Sequence, residues 1–240
     1  MEYRKKQRLY FIILLVNLFL VIGVSVAIFF ISKLGSTVWL VFVGLMVYLA
    51  FSSLFINSYL YFYQLKHQFY TLRVNAKAPI PIQTDPLGKS FTLKRDKEGY
   101  KDLKSYGNFY LQHRYINDKS SRFHRMGALE VIVYITNPKL AFDHPSVIEK
   151  INLIEDDITR QRQFIHRYYI YAIKETDALT DEQKSEANMV QFSSAKKRHL
   201  TSINLYYIKP EQQAYFLHSD TYAPNAYYQY AVSQIQSWLK

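Results

Sequence analysis

From Leu9 to Ile31 the chain carries no charged side chain, and after five intervening residues the same holds from Thr37 to Tyr63. A helix over the first run reaches roughly 34 Å, enough to cross the hydrocarbon core of a bilayer. The connection, residues 32–36, is too short for anything except a tight turn, so the two spans are expected to run antiparallel as neighbours. A cleaved signal peptide competes for the first run, but its apolar core would be too long and a second span follows at once.

Lys and Arg in short flanks translocate poorly and so set the orientation. Arg4, Lys5, Lys6 and Arg8 precede the first span, Lys66, Arg73 and Lys77 follow the second, and the turn holds only Lys33. Both termini are therefore expected in the cytoplasm, with the chain a multi-pass protein of the plasma membrane. Trp39 would mark the outer boundary, and Tyr10, Tyr59, Tyr61 and Tyr63 the inner one. Inside the spans, Gly23 and Ala27 form a small-xxx-small pair with Gly44 at similar depth, which predicts close backbone packing. Counted from the turn, Asn17 falls level with Ser52 and Ser53, which predicts an interhelical hydrogen bond rather than a substrate path.

The expected organisation is a basic tail (1–8), a first span (9–31), an external turn (32–36), a second span (37–63), a juxtamembrane helix with a Pro-containing linker (64–87), and a cytoplasmic domain (88–240). The juxtamembrane stretch places Leu65, Phe69 and Leu72 at helical spacing among basic residues, a pattern suited to an anionic lipid surface. Beyond the linker the apolar period changes to two. Phe91–Arg95 reads as a short edge strand. Phe109–Ile116 and Leu129–Ile135 read as a hairpin around the polar loop 117–127. Asp143 and Pro145 open a helix carrying Val147, Ile151, Ile154 and Ile158. Phe164–Ile173 is apolar on both faces and suits a central strand. Thr180 and Gln183 form a capping box for a polar helix reaching about Val190. Thr201–Ile208 and Ala214–His218 flank a turn, and Pro224 starts a helix with Tyr228, Ala231, Val232, Ile235 and Trp238 on one stripe. This order predicts an α+β domain with a mixed or antiparallel sheet and helices packed on it.

Chemical motifs are sparse. The chain has no cysteine, so disulfides and thiolate chemistry are excluded. It has seven glycines and neither a phosphate-cradling loop nor a Gly-x-Ser-x-Gly elbow. The histidines stand at no zinc-binding spacing; His113, Asp118 and His124 share one hairpin but match no ligand motif. Glu155, Asp156 and Asp157 read as the solvated face of their helix, and Glu130-Val131-Ile132 lacks the lysine of a Glu-x-Lys nuclease motif. No catalytic, metal or cofactor-binding residue is therefore assigned.

Charge is the clearest polar feature. Of the formal +11, residues 66–240 hold +7, from 25 basic and 18 acidic side chains. Arg114, Lys119, Arg122, Arg125, Lys196, Lys197 and Arg198 are the candidates for anion binding. Nucleic acid would be attracted to such a field, yet no reader motif is present and a lipid-facing basic surface predicts the same composition. The expected partners are the bilayer with its anionic headgroups and either another protein or a second copy. The sequence points to a non-enzymatic membrane anchor displaying an interaction or regulatory domain, a subunit or scaffold of an envelope-associated complex. The alternative is a membrane-tethered hydrolase or nuclease acting on an anionic substrate through Asp118, Glu130 or Glu155–Asp157.

Overall fold

The computed structural model describes residues 2–30, 36–77, 79–86, 88–101, 103–117, 126–195 and 198–239. The chain divides into two compact units, Met1–Thr71 and Leu72–Lys240.

The first unit consists of helix α1 (Glu2–Phe30) and helix α2 (Ser36–Val74), the last turn of which belongs to the second unit. Both helices are long and apolar enough to cross a membrane, and only 6% of the most apolar window of each is buried. A helix apolar all round belongs either in a core or in lipid. Here the large side chains face outward: Phe19, Leu40 and Tyr48 are 69%, 73% and 68% exposed. The helix expected after Tyr63 is a direct continuation of α2.

The second unit is an α+β domain. Its elements run β1 (Ile80–Pro81), α3 (Lys89–Lys97), β2 (Lys104–Ser105), β3 (Phe109–Asn117), β4 (Met126–Ile135), α4 (Pro145–Arg160), β5 (Phe164–Thr176), α5 (Asp181–Ala187), β6 (Gln191–Ala195), β7 (Arg198–Ile208), β8 (Gln213–Tyr215) and α6 (Ala226–Leu239). They form one mixed sheet in the order β1-β8-β7-β5-β4-β3-β2, and β6 also pairs with β7. The central pairs β4/β5 and β5/β7 are parallel; the flanking pairs are antiparallel. Strand β7 shares one edge between two partners, β6 along residues 198–202 and β8 along residues 206–208.

Strand periodicity sorts the side chains to two faces. On one, Leu129, Val131, Val133 and Ile135 of β4 join Phe109, Leu111 and Ala172 in a core with Val147, Ile151 and Ile158 of α4. The apolar stripe of α4 is set by its spacing, and its start by Pro145 together with His144, whose Nδ1 accepts the Ser146 N–H at 3.2 Å. Registration places Glu130, Ile132 and Tyr134 on the opposite face, level with Tyr169, Tyr171 and Ile173 of β5. That face holds α3 and α6 in contact: Trp238 packs edge-on against Tyr171 at 4.6 Å and Phe91 at 6.4 Å. Helices therefore cover both faces of the sheet.

Three local expectations change. Residues 91–95 lie in helix α3, not in a strand: Phe91 and Arg95 are both fully buried at i, i+4 spacing while Leu93 is 61% exposed, the reverse of a strand's alternation. Strand β6 was not expected, because Gln191-Phe192-Ser193-Ser194 has too little apolar alternation to signal one. Helix α5 ends at Ala187 and strand β8 at Tyr215, each three residues earlier than expected. The extended Pro-Ile-Pro stretch is itself paired, as Ile80 lies opposite Ala214 and Pro81 opposite Gln213.

Candidate functional site

Within the first unit the polar residues of the apolar helices meet. Asn17, only 7% exposed, donates through Nδ2 to Ser53 Oγ at 2.7 Å, Ser52 Oγ at 2.8 Å and the Leu49 carbonyl at 3.2 Å. Gly23 and Gly44 do not make the close approach expected of them, since a Cβ at either would meet no atom within 4 Å. Ala27 is half-buried. Toward the N-terminal end of α1, Tyr10 stacks on Tyr59 and Tyr63 at 5.4 and 5.3 Å, and Lys66 Nζ lies 4.4 Å from the Phe62 ring and 5.8 Å from the Tyr3 ring. The antiparallel pairing thus brings Arg4, Lys5, Lys6, Arg8 and Lys66 to the same end of the pair. In the second unit, Arg73 donates to the Asn188 carbonyl at 3.2 Å and Lys77 pairs with Asp220 at 3.2 Å.

Of the anion-binding candidates, Arg114 is committed elsewhere. Its Nε donates to Glu130 Oε2 at 2.6 Å, Nη1 to the Glu98 carbonyl at 3.0 Å and Nη2 to Gln234 Oε1 at 3.2 Å, with the guanidinium 4.6 Å over the Tyr100 ring. Arg198 opens β7 opposite Ala195. Lys119, Arg122, Arg125, Lys196 and Lys197 lie outside the described residues, as do Asp118 and His124.

Glu130 is fully buried, and both of its oxygens are taken: Tyr100 and Arg114 donate to Oε2, and Tyr230 donates to Oε1 at 2.7 Å. A carboxylate needs such donors to remain charged away from water. Burial, then the Glu130 charge, raises the Tyr100 and Tyr230 hydroxyls well above the ordinary tyrosine range, which keeps both as donors. Nearby, Arg95 is wholly buried, paired through Nη1 and Nη2 with Glu98 at 2.6 and 2.7 Å and 4.8 Å over the Trp238 ring. The cluster joins β3, β4, α6 and the turn after α3, and acts as a fastening. Glu155–Asp157 belong to α4 on the other face, where Asp157 pairs with Arg160 at 3.4 Å. Glu130 and Glu155–Asp157 therefore lie on opposite faces of the sheet, and among the described residues no group of three metal-ligating side chains occurs.

Parallel pairing of β5 with β7 sets His166 beside His199, with ring centroids 5.2 Å apart, and Tyr227 stacks on His199 at 4.9 Å. Burial, then His166 and Arg167, lowers the His199 imidazole. No spacing in the sequence announces this pair, because strand order alone creates it.

One concave site lies on the α4 face of the sheet. A cavity of about 460 Å³ has Tyr168, Ile170, Leu200 and Ser202 of β5 and β7 as its floor, α4 along one side, and Glu186 and Met189 along the other. Glu186 is held firmly: Lys174, 3% exposed, donates to Oε1 at 2.9 Å, and the Tyr206 hydroxyl donates to Oε2. Burial, and then this bond to Glu186, raises the Tyr206 hydroxyl. Asn204 donates to the carbonyls of Glu186 and Met189 at 3.0 and 3.2 Å, fixing the chain where α5 ends. No motif marks Glu186, Tyr206 or Asn204 in the sequence, and Lys174 on an apolar strand is the one visible hint.

No protein-family model, curated protein or solved structure matches this chain.

Proposed function

We propose that the chain is a membrane-anchored protein whose α+β domain serves in the cytoplasm as an interaction or regulatory module, a subunit or scaffold of an envelope-associated complex. α1 and α2 cross the plasma membrane as a hairpin, with both termini inside. What supports this reading above all is the outward apolar surface of the helix pair, with Phe19, Leu40 and Tyr48 more than two-thirds exposed. Water disfavours such a surface by about 25 cal/mol per Å² of apolar area, and lipid does not. The tyrosines and basic residues gathered at one end suit an inner membrane boundary, where Arg4, Lys5, Lys6, Arg8 and Lys66 meet anionic headgroups.

Cross-linking in native membranes, followed by extraction in a mild detergent and sedimentation, tests the module. The proposal predicts that the chain travels as part of a species larger than one copy. Recovery only as an uncross-linked monomer would contradict it.

A further inference from the structure

Helix α4 packs on β4 and β5, and α5, seven residues long, lies against the C-terminal half of β7. Between them the sheet is left open. Ile170, Leu200 and Ser202 on the floor are only partly buried, and Ile148 and Met189 at the rim are 47% and 59% exposed. Protein interiors are normally filled to the density of organic crystals, so an apolar recess of about 460 Å³ over a sheet is the size and character of a small-molecule site.

The polar groups of the recess select the ligand. Among the described residues its lining carries the carboxylates of Asp143, Glu155 and Glu186 and neither lysine nor arginine. This stands out in a chain of net charge +11. Asp143 and Glu155 make contacts of their own, and Glu186 is bonded to Lys174 and Tyr206, so a ligand would share these oxygens rather than find them vacant. A carboxylate can accept several such bonds at once. An anionic head would meet repulsion at this rim, and an ammonium group would find acceptors around it.

We infer that the cleft between α4 and α5 binds a small apolar molecule bearing one ammonium group: the body rests on Tyr168, Ile170 and Leu200, and the head lies toward Asp143, Glu155 and Glu186. The site belongs to the second unit alone and stands whether or not α1 and α2 enter lipid.

The chain has four methionines, and Met189 is at the rim, so methyl resonances of the full chain in lipid nanodiscs report binding directly. Three probes of one shape are titrated: 4-phenylbutylamine, 4-phenylbutanol and 4-phenylbutanoate. The expected result is a saturable shift of the Met189 methyl with the amine and none at Met46 in α2. The carboxylate should bind at least about tenfold more weakly, the change expected of one charge-assisted hydrogen bond. Asn152→Trp, which plugs the mouth from an exposed position on α4, should abolish the shift while the other methyl resonances stay in place. Glu155→Gln should bring the amine toward the alcohol. Equal binding of amine and carboxylate, a shift that never saturates, or binding that survives Asn152→Trp would overturn the inference.

Discussion

Glu130 shows how one residue can look catalytic in a sequence and act as a fastener in a fold. An acidic side chain on an otherwise apolar strand is a fair candidate for chemistry, but this one has both oxygens engaged by Arg114, Tyr100 and Tyr230. Removing it leaves the part-buried Arg114 guanidinium without its carboxylate and the Tyr100 and Tyr230 hydroxyls without their acceptor. Glu130→Ala should therefore cost about 3–5 kcal/mol in denaturant unfolding followed by Trp238 fluorescence in a Trp39→Phe background, and Glu130→Leu with Arg114→Met should cost less than the sum of the two single changes. His113, 7% exposed on β3, gives a second residue-scale outcome. Burial, with help from Lys101 and Lys104 and against Asp157, pushes its imidazole down to about 4 from 6.5. The folded state holds it neutral while the unfolded chain protonates it, so its contribution is complete above about pH 6.5 and is lost as pH falls toward about 4. Relative to His113→Leu, the native chain should lose about 3 kcal/mol of unfolding free energy across that window. Parallel pH profiles for the two proteins would contradict this origin.

At the scale of elements, legibility followed periodicity. The stripes of α4 and α6 and the alternation of β3 and β4 are long enough to read, and β5 announces its central place by being apolar on both faces. Short elements are decided by their neighbours. Helix α3 offers only Phe91 and Arg95 as inward positions, and β6 forms because the N-terminal half of β7 has an open edge. Helix α5 is the instructive middle case, a seven-residue helix whose start is fully specified: Thr180 accepts the Gln183 N–H at 3.2 Å and Gln183 Oε1 accepts the Thr180 N–H at 3.0 Å. Thr180→Ala should cost about 1 kcal/mol. Because α5 carries Glu186, amide exchange should quicken through residues 181–189 on one wall of the cleft and leave α4 unchanged.

Across the whole molecule, the part most readable in the sequence is the part with the simplest solvent argument. Two long uncharged runs need no tertiary context to be recognised, and the described helices α1 and α2 lie over them, α1 starting earlier at Glu2 and α2 running on to Val74. The candidate cleft was not readable, since it is a gap rather than a motif. It exists because β5 and β7 run parallel side by side and α5 is too short to cover them. The His166–His199 pair and the division of carboxylates between opposite faces depend on the same strand order. Membrane insertion with both termini inside is the central claim, and the cysteine-free chain allows a direct test by single substitution. Ser36→Cys, at the start of α2, and Ser185→Cys, exposed on α5, are each treated in intact cells with a membrane-impermeant maleimide. The hairpin topology predicts labelling of Ser36→Cys from outside and of Ser185→Cys only after lysis; labelling of Ser185→Cys in intact cells would contradict it.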